Sequence, residues 1–182
     1  MAMQNDLVMI AAVAGLVCTG LVFAMAGAQK LRHWAIVRGV IANYRLLPAP
    51  LVAPAAALLP PLEVVLGLLL LSGSARPFAP LAAMALLGLF AAAMAVNILC
   101  GRAEIDCGCN QAFLRQPLRW TLVVRNLALA AALLPSLAVT APIPMVALAA
   151  GAAGGAAFFL LYLLVNIFAA LPRRELMVGA RT

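Results

Sequence analysis

Charge is what this chain most lacks. Only 9% of its 182 residues are charged and 67% are hydrophobic. Soluble domains carry about 25% charged residues, so a soluble globular fold is excluded. Acids are scarcer than bases, five against twelve, and the net charge is +7. That excess would suggest a nucleic-acid partner if the arginines formed a patch on a soluble fold. They lie instead in separated groups between apolar runs, as membrane-flanking charges do, and no nucleic-acid binding is expected. Histidine occurs once, at His33. A four-ligand zinc site would need Cys100, Cys107 and Cys109 to converge with Asp106 or with His33 from a different loop, and no metal is expected. No alternating pattern supports a β-barrel, and the lack of an internal repeat and of many intramembrane polar groups argues against a permease. The N-terminal region carries Asp6 and no lysine or arginine. Its apolar stretch also exceeds the 7–15 residues of a signal peptide, so the first run reads as a retained helix despite the small residues Ala26, Gly27 and Ala28.

What is present is long apolar sequence. A hydrocarbon core of about 30 Å needs about 20 apolar residues in a helix, and five runs qualify, over residues 7–28, 51–71, 78–99, 120–139 and 143–171. Backbone groups in lipid must be satisfied internally, so each run is expected to be a helix. The expectation is an all-α integral membrane protein, a compact bundle of about five transmembrane helices forming one domain over 1–182. Glycine and alanine recur within the runs, notably Gly15, Gly20, Gly67 and the stretch 151–155, and small residues let membrane helices approach closely. After the first run, Trp34, Val37, Val40, Ile41, Tyr44 and Leu47 recur at helical spacing with basic residues between them. This predicts an amphipathic interfacial helix in contact with membrane lipid, anchored by Trp34 and Tyr44.

Orientation follows from the basic residues. Lys30, Arg32, Arg38 and Arg45 follow the first run, Arg102, Arg115 and Arg119 lie between the third and fourth, and Arg173, Arg174 and Arg181 are in the tail. In a five-helix arrangement these three groups share one side. The positive-inside rule puts that side in the cytoplasm and the N-terminus outside.

Chemistry is concentrated in the loop 100–118, which holds three of the four cysteines, Cys100, Cys107 and Cys109. Thiolates are favoured by exposure and nearby positive charge, which Arg102, Arg115 and Arg119 supply. Cys107 and Cys109 are separated by one glycine, a spacing that permits either a readily reduced redox pair or a structural disulfide. Cys100 closes the third run and serves either as packing or as a third thiol, and Cys18, mid-helix, reads as a small packing residue. Two charges lie within the apolar runs, Glu63 after Pro60 and Pro61, and Arg125 beside Asn126. Each costs on the order of 3 kcal/mol at the membrane centre, so each needs a partner, water or the interface. Glu63 is expected to face the bundle interior; an Arg125 to Glu63 pair is one solution and snorkelling of Arg125 another. Asn97, one turn before Cys100, is placed to orient groups near the loop.

Several segments carry a resemblance together: 27–31 (Gly27, Ala28, Gln29, Lys30, Leu31), 44–48 (Tyr44, Arg45, Leu46, Leu47, Pro48), 59–63 (Leu59, Pro60, Pro61, Leu62, Glu63) with Gly67, then Asn97, Gly101 with Arg102, Cys107 with Gly108 and Cys109, and Trp120 with Val124, Arg125 and Asn126. In order, over more than half of the chain, these resemble the methylamine utilisation protein MauE family, related to DoxX-like membrane proteins. Asn110 and Gln111 replace the usual phenylalanine and glycine after the cysteine pair, which affects the local turn. The resemblance implies a multi-pass protein of the bacterial cytoplasmic (inner) membrane. It further implies a role in maturing methylamine dehydrogenase, whose exported small subunit carries many disulfides, together with the thioredoxin-like partner MauD. On that basis Cys107 and Cys109, with Cys100 as a third thiol, would act in thiol–disulfide oxidoreductase chemistry supported by Arg102. A membrane quinone near Glu63, Asn97 and Arg125 would be the natural electron sink. The alternative is a non-redox assembly or export factor for the same dehydrogenase. An exported substrate and a cytoplasmic cysteine loop conflict.

Overall fold

The computed structural model describes residues 2–105, 107 and 117–170. Seven helices are present among them: α1 (Ala2–Arg32), α2 (Trp34–Tyr44), α3 (Ala49–Ser72), α4 (Phe78–Leu99), α5 (Trp120–Ala132), α6 (Leu134–Ala138) and α7 (Met145–Ala170). Counting α5 and α6 as one interrupted span, five are long and apolar enough to cross a membrane. The protein is therefore an all-helical, multi-pass membrane protein.

The long first helix is the spine of the bundle. It packs on α3, α6 and α7, and it does so through glycines at close backbone approach. A Cβ on Gly67 would meet the backbone nitrogen of Ala24 at 2.6 Å, and one on Gly155 would meet the Ala14 carbonyl at 2.7 Å. With no hydrophobic drive between helices in lipid, such contact packing is what associates them. Lys30 and Arg32 occupy the last turn of α1, where cations complement the helix dipole.

Two prolines shape the bundle differently. Pro135 has no N–H to offer the Ala131 carbonyl and its ring crowds that turn, so the fourth span breaks at Leu133 between α5 and α6. The break brings the Ala132 carbonyl against α1 at Gly15, where a Cβ would lie 2.0 Å from that oxygen. Pro60 and Pro61, in contrast, are carried inside a continuous α3, which runs from Ala49 to Ser72. The Pro60 carbonyl packs on Gly27 of α1, 2.8 Å from where a Cβ would stand.

The core has two parts. The larger joins Leu16, Phe23, Leu66, Leu70, Leu87 and Leu133 along the spine. The smaller gathers Ala91, Met94, Cys107, Leu118, Leu122 and Val123 where the cysteine loop folds back on α4 and α5. This second core fixes the site.

Candidate functional site

The site is built from the end of α4 outwards. Gly101 adopts a left-handed conformation, φ 72°. The Gly101 N–H then donates to the Ile98 carbonyl at 3.0 Å and the Arg102 N–H to the Asn97 carbonyl at 2.9 Å. This is a Schellman cap, which gives glycine at that position a physical reason and turns the loop back towards the bundle. The loop is closed by the buried Leu118, whose N–H donates to the carbonyls of Ala103 at 2.9 Å and Ile105 at 3.2 Å. Cys107 is thereby packed among Met94, Leu118 and Leu122 and is 5% exposed.

Helix α2 meets this loop from the other side. Among its residues Val37, Val40, Ile41 and Tyr44 are the more buried, at the spacing of one helical face. The helix ends where Arg45 turns left-handed, φ 52°. The Tyr44 hydroxyl donates to the Cys107 carbonyl at 3.1 Å. Arg102 Nη1 reaches the Tyr44 carbonyl at 3.5 Å, at the negative end of the α2 dipole. The polypeptide after α1 and the cysteine loop therefore share one end of the bundle. Tyr44 is the link between Arg102 and Cys107.

Beneath α2 lies a cavity of about 450 Å³. Its walls are mostly aliphatic and come from the end of α1, from α2, and from residues 55–62 of α3 and 86–94 of α4. Its polar groups are Gln29, Lys30, His33, Tyr44 and Cys107. Lys30 Nζ forms an ion pair with Glu63, which is 1% exposed, and stands 5.2 Å from the centre of the Phe90 ring. His33 Nδ1 lies 3.0 Å from the Gln29 carbonyl. A carbonyl only accepts, so Nδ1 carries the hydrogen.

The other polar residues singled out in the sequence are dispersed. Glu63 faces the interior, and its ion-pair partner is Lys30 of α1. Arg125 Nη1 donates to Asn166 Oδ1 of α7 at 2.6 Å, and the guanidinium lies 5.4 Å from the Tyr162 ring centre. Asn97 is fully buried and donates from Nδ2 to its own helix at the Ala93 carbonyl, 3.0 Å away. Neither Asn97 nor Arg125 lines the cavity. Cys100 is exposed at the end of α4, and Cys18 is buried in the spine of the core. Cys109 lies outside the described residues. Sequence reasoning counted Lys30 only as a flanking charge and Tyr44 only as an interfacial anchor. The signal for Lys30 was its position just beyond the apolar run, close enough for a long side chain to fold back onto an intramembrane acid.

The family model described as methylamine utilisation protein MauE matches residues 7–141. The chain belongs to the MauE family. The matched segment holds every cavity residue and all four cysteines, whereas Tyr162 and Asn166 lie beyond it. A methylamine utilization protein MauE of Paracoccus denitrificans is 40% identical over 158 residues, 85% of each chain. Another of Paracoccus versutus is 39% identical over 159 residues, 84% of each. One from Methylorubrum extorquens is 40% identical over 112 residues, 62% of this chain and 60% of the relative. No solved structure matches the chain.

Proposed function

We propose that this MauE-family protein is a thiol–disulfide redox protein of the bacterial cytoplasmic membrane. In methylamine utilisation it supports disulfide formation in the small subunit of methylamine dehydrogenase, working with the thioredoxin-like MauD. The observation that carries the reading is the placement of Cys107, a thiol from a Cys-Gly-Cys pair, at the wall of a largely apolar cavity and held by Tyr44. A cysteine retained only for packing needs no adjoining cavity. The relatives named for methylamine utilisation supply the biological setting.

In the oxidising direction, a thiolate of the partner attacks the Cys107–Cys109 disulfide, forming a mixed disulfide and releasing one cysteine thiolate. The partner's second thiolate then resolves it, so the partner leaves as a disulfide and the pair as a dithiol. Arg102 serves this chemistry as a positioning residue through Tyr44. Charge counting puts this end of the bundle in the cytoplasm, whereas the small subunit is exported. An outward loop exchanges directly with an exported partner; an inward loop requires reducing equivalents to cross the membrane.

Two measurements test the reading. Cys107→Ser and Cys109→Ser should each abolish dehydrogenase maturation while the protein still inserts, and Cys18→Ser should leave maturation intact. Maturation retained in both loop variants would replace the redox reading with the assembly or export factor. A membrane-impermeant maleimide applied to intact cells, before and after mild reduction, fixes the side of the loop.

A further inference from the structure

We propose that the cavity beneath α2 is a binding site for an isoprenoid quinone, entered from the lipid between α3 and α4, with the quinone ring at the polar end beside Lys30 and Cys107. At about 450 Å³ the cavity has the size of a small-molecule site and far exceeds a packing defect. It also opens in the right direction. Leu58 and Leu89 line it, from α3 and α4, and are also 68% and 63% exposed on the outside of the bundle. Both lie well inside membrane-spanning helices, so the surface they present faces lipid and an isoprenoid tail can leave between them.

The chemistry of the polar end selects among membrane amphiphiles. Lys30 offers N–H donors to a ligand carbonyl, but its charge is matched by Glu63, so the described lining carries no excess positive charge for an anionic headgroup. A neutral ligand whose carbonyls accept hydrogen bonds fits better. Phe90 presents a ring to the same space, against which a flat ligand can stack. Cys107 gives the ligand a reason to be there. Its thiol is too buried for a folded protein to reach, yet it borders a space that a small oxidant can enter. Exchange with a protein partner then falls to the other thiol of the pair.

The electron step rests on the redox function proposed above; the binding itself does not. In it the two S–H bonds of Cys107 and Cys109 break and one S–S bond forms. The two electrons and two protons released convert the quinone to its quinol, both carbonyls becoming hydroxyls. The cavity therefore supplies the sink that an oxidising thiol pair requires.

The test uses the full-length protein, reduced, in lipid nanodiscs, with decylubiquinone as the probe. Saturable binding is expected, with two thiols lost for each quinone reduced. Ala93→Phe and Ala55→Phe fill the cavity from opposite walls, and each should weaken binding at least tenfold. Helix content and monodispersity report on their folding. Cys107→Ser should reduce no quinone. A photoreactive azidoquinone should label the unaltered protein on α2 or within residues 86–94, whatever the filled variants do. Binding without thiol loss would keep the site and sink the redox function. Absence of saturable binding, labelling elsewhere, or undiminished binding in two folded filled variants would overturn the proposal.

Discussion

Lys30 and Arg125, two cations of the described residues, are accommodated within the bundle in different ways. Lys30 meets an acid: its ammonium pairs with Glu63, a carboxylate that is almost wholly buried, and Lys30 itself lines the cavity. Among the described residues Arg125 meets neutral groups of α7: the amide oxygen of Asn166 and the face of Tyr162. Arg125 remains partly exposed. The guanidinium is weakly hydrated and planar, so an amide and a ring can hold it; an ammonium taken out of water needs a counter-charge. The difference separates a pair of groups that each depend on the other for burial from a cation that is braced but replaceable. Only the first adjoins the proposed chemistry.

The largest expected effect comes from splitting the first pair. Glu63→Leu leaves a buried ammonium without its counter-charge and should cost about 3–5 kcal/mol of stability, read as unfolding in mixed micelles. Lys30→Leu should cost a similar amount by stranding the carboxylate. The double variant should recover most of the loss, because both charges go together. A double variant whose loss equals the sum of the two single losses would show that the ion pair contributes nothing as a pair, and the contrast with Arg125 would collapse.

Arg125→Leu should be much milder, about 1 kcal/mol, the scale of one intramembrane hydrogen bond with a cation–π contact. Asn166 keeps its own bond, from Nδ2 to the Tyr162 carbonyl at 2.6 Å, so removal of the arginine leaves that amide hydrogen-bonded. Arg125→Lys keeps the charge but loses the planar fork, and should destabilise by an amount comparable to the leucine variant. A loss from Arg125→Leu as large as that from Glu63→Leu would make the two cations equivalent and remove the comparison.

What the sequence disclosed depended on whether the signal was local. Span positions follow from apolar length, and the buried face of α2 from the spacing of Val37, Val40, Ile41 and Tyr44, because both are properties of contiguous residues. Glu63 was legible as interior-facing, since an acid in lipid has few other places to go. Its partner was not. Lys30 reads as a flanking charge until α1 is known to continue helical to Arg32 and to lie against α3. Asn166 was hidden as one amide in a long apolar run, 41 residues from Arg125, and nothing local pairs them. The interruption at Leu133 was written in Pro135, although composition alone reads residues 120–139 as a single span. The cavity has no sequence signature, since it is the space left where α2 crosses two helices that barely touch. How the cysteine pair lies was decided only for Cys107; Cys109 falls outside the described residues.

The smallest expected effect is also the most local, and it tests whether Tyr44 belongs to the cavity or merely to the membrane interface. Tyr44→Phe removes one hydroxyl, the donor to the Cys107 carbonyl at 3.1 Å, and leaves the ring in place. A neutral hydrogen bond is worth about 1 kcal/mol net, which corresponds to about a fivefold change in an opening equilibrium. Global stability should shift by no more than this. Access to the thiol should shift visibly, because only the tie between α2 and the loop is loosened. In a background carrying Cys18→Ser, Cys100→Ser and Cys109→Ser, maleimide labelling of Cys107 should quicken about fivefold. Arg102→Gln should quicken it less, since its contact to the Tyr44 carbonyl is at the long limit of hydrogen bonding. A labelling rate unmoved by Tyr44→Phe would return this residue to the role of interfacial anchor, and with it the idea that α2 governs access to the cysteine.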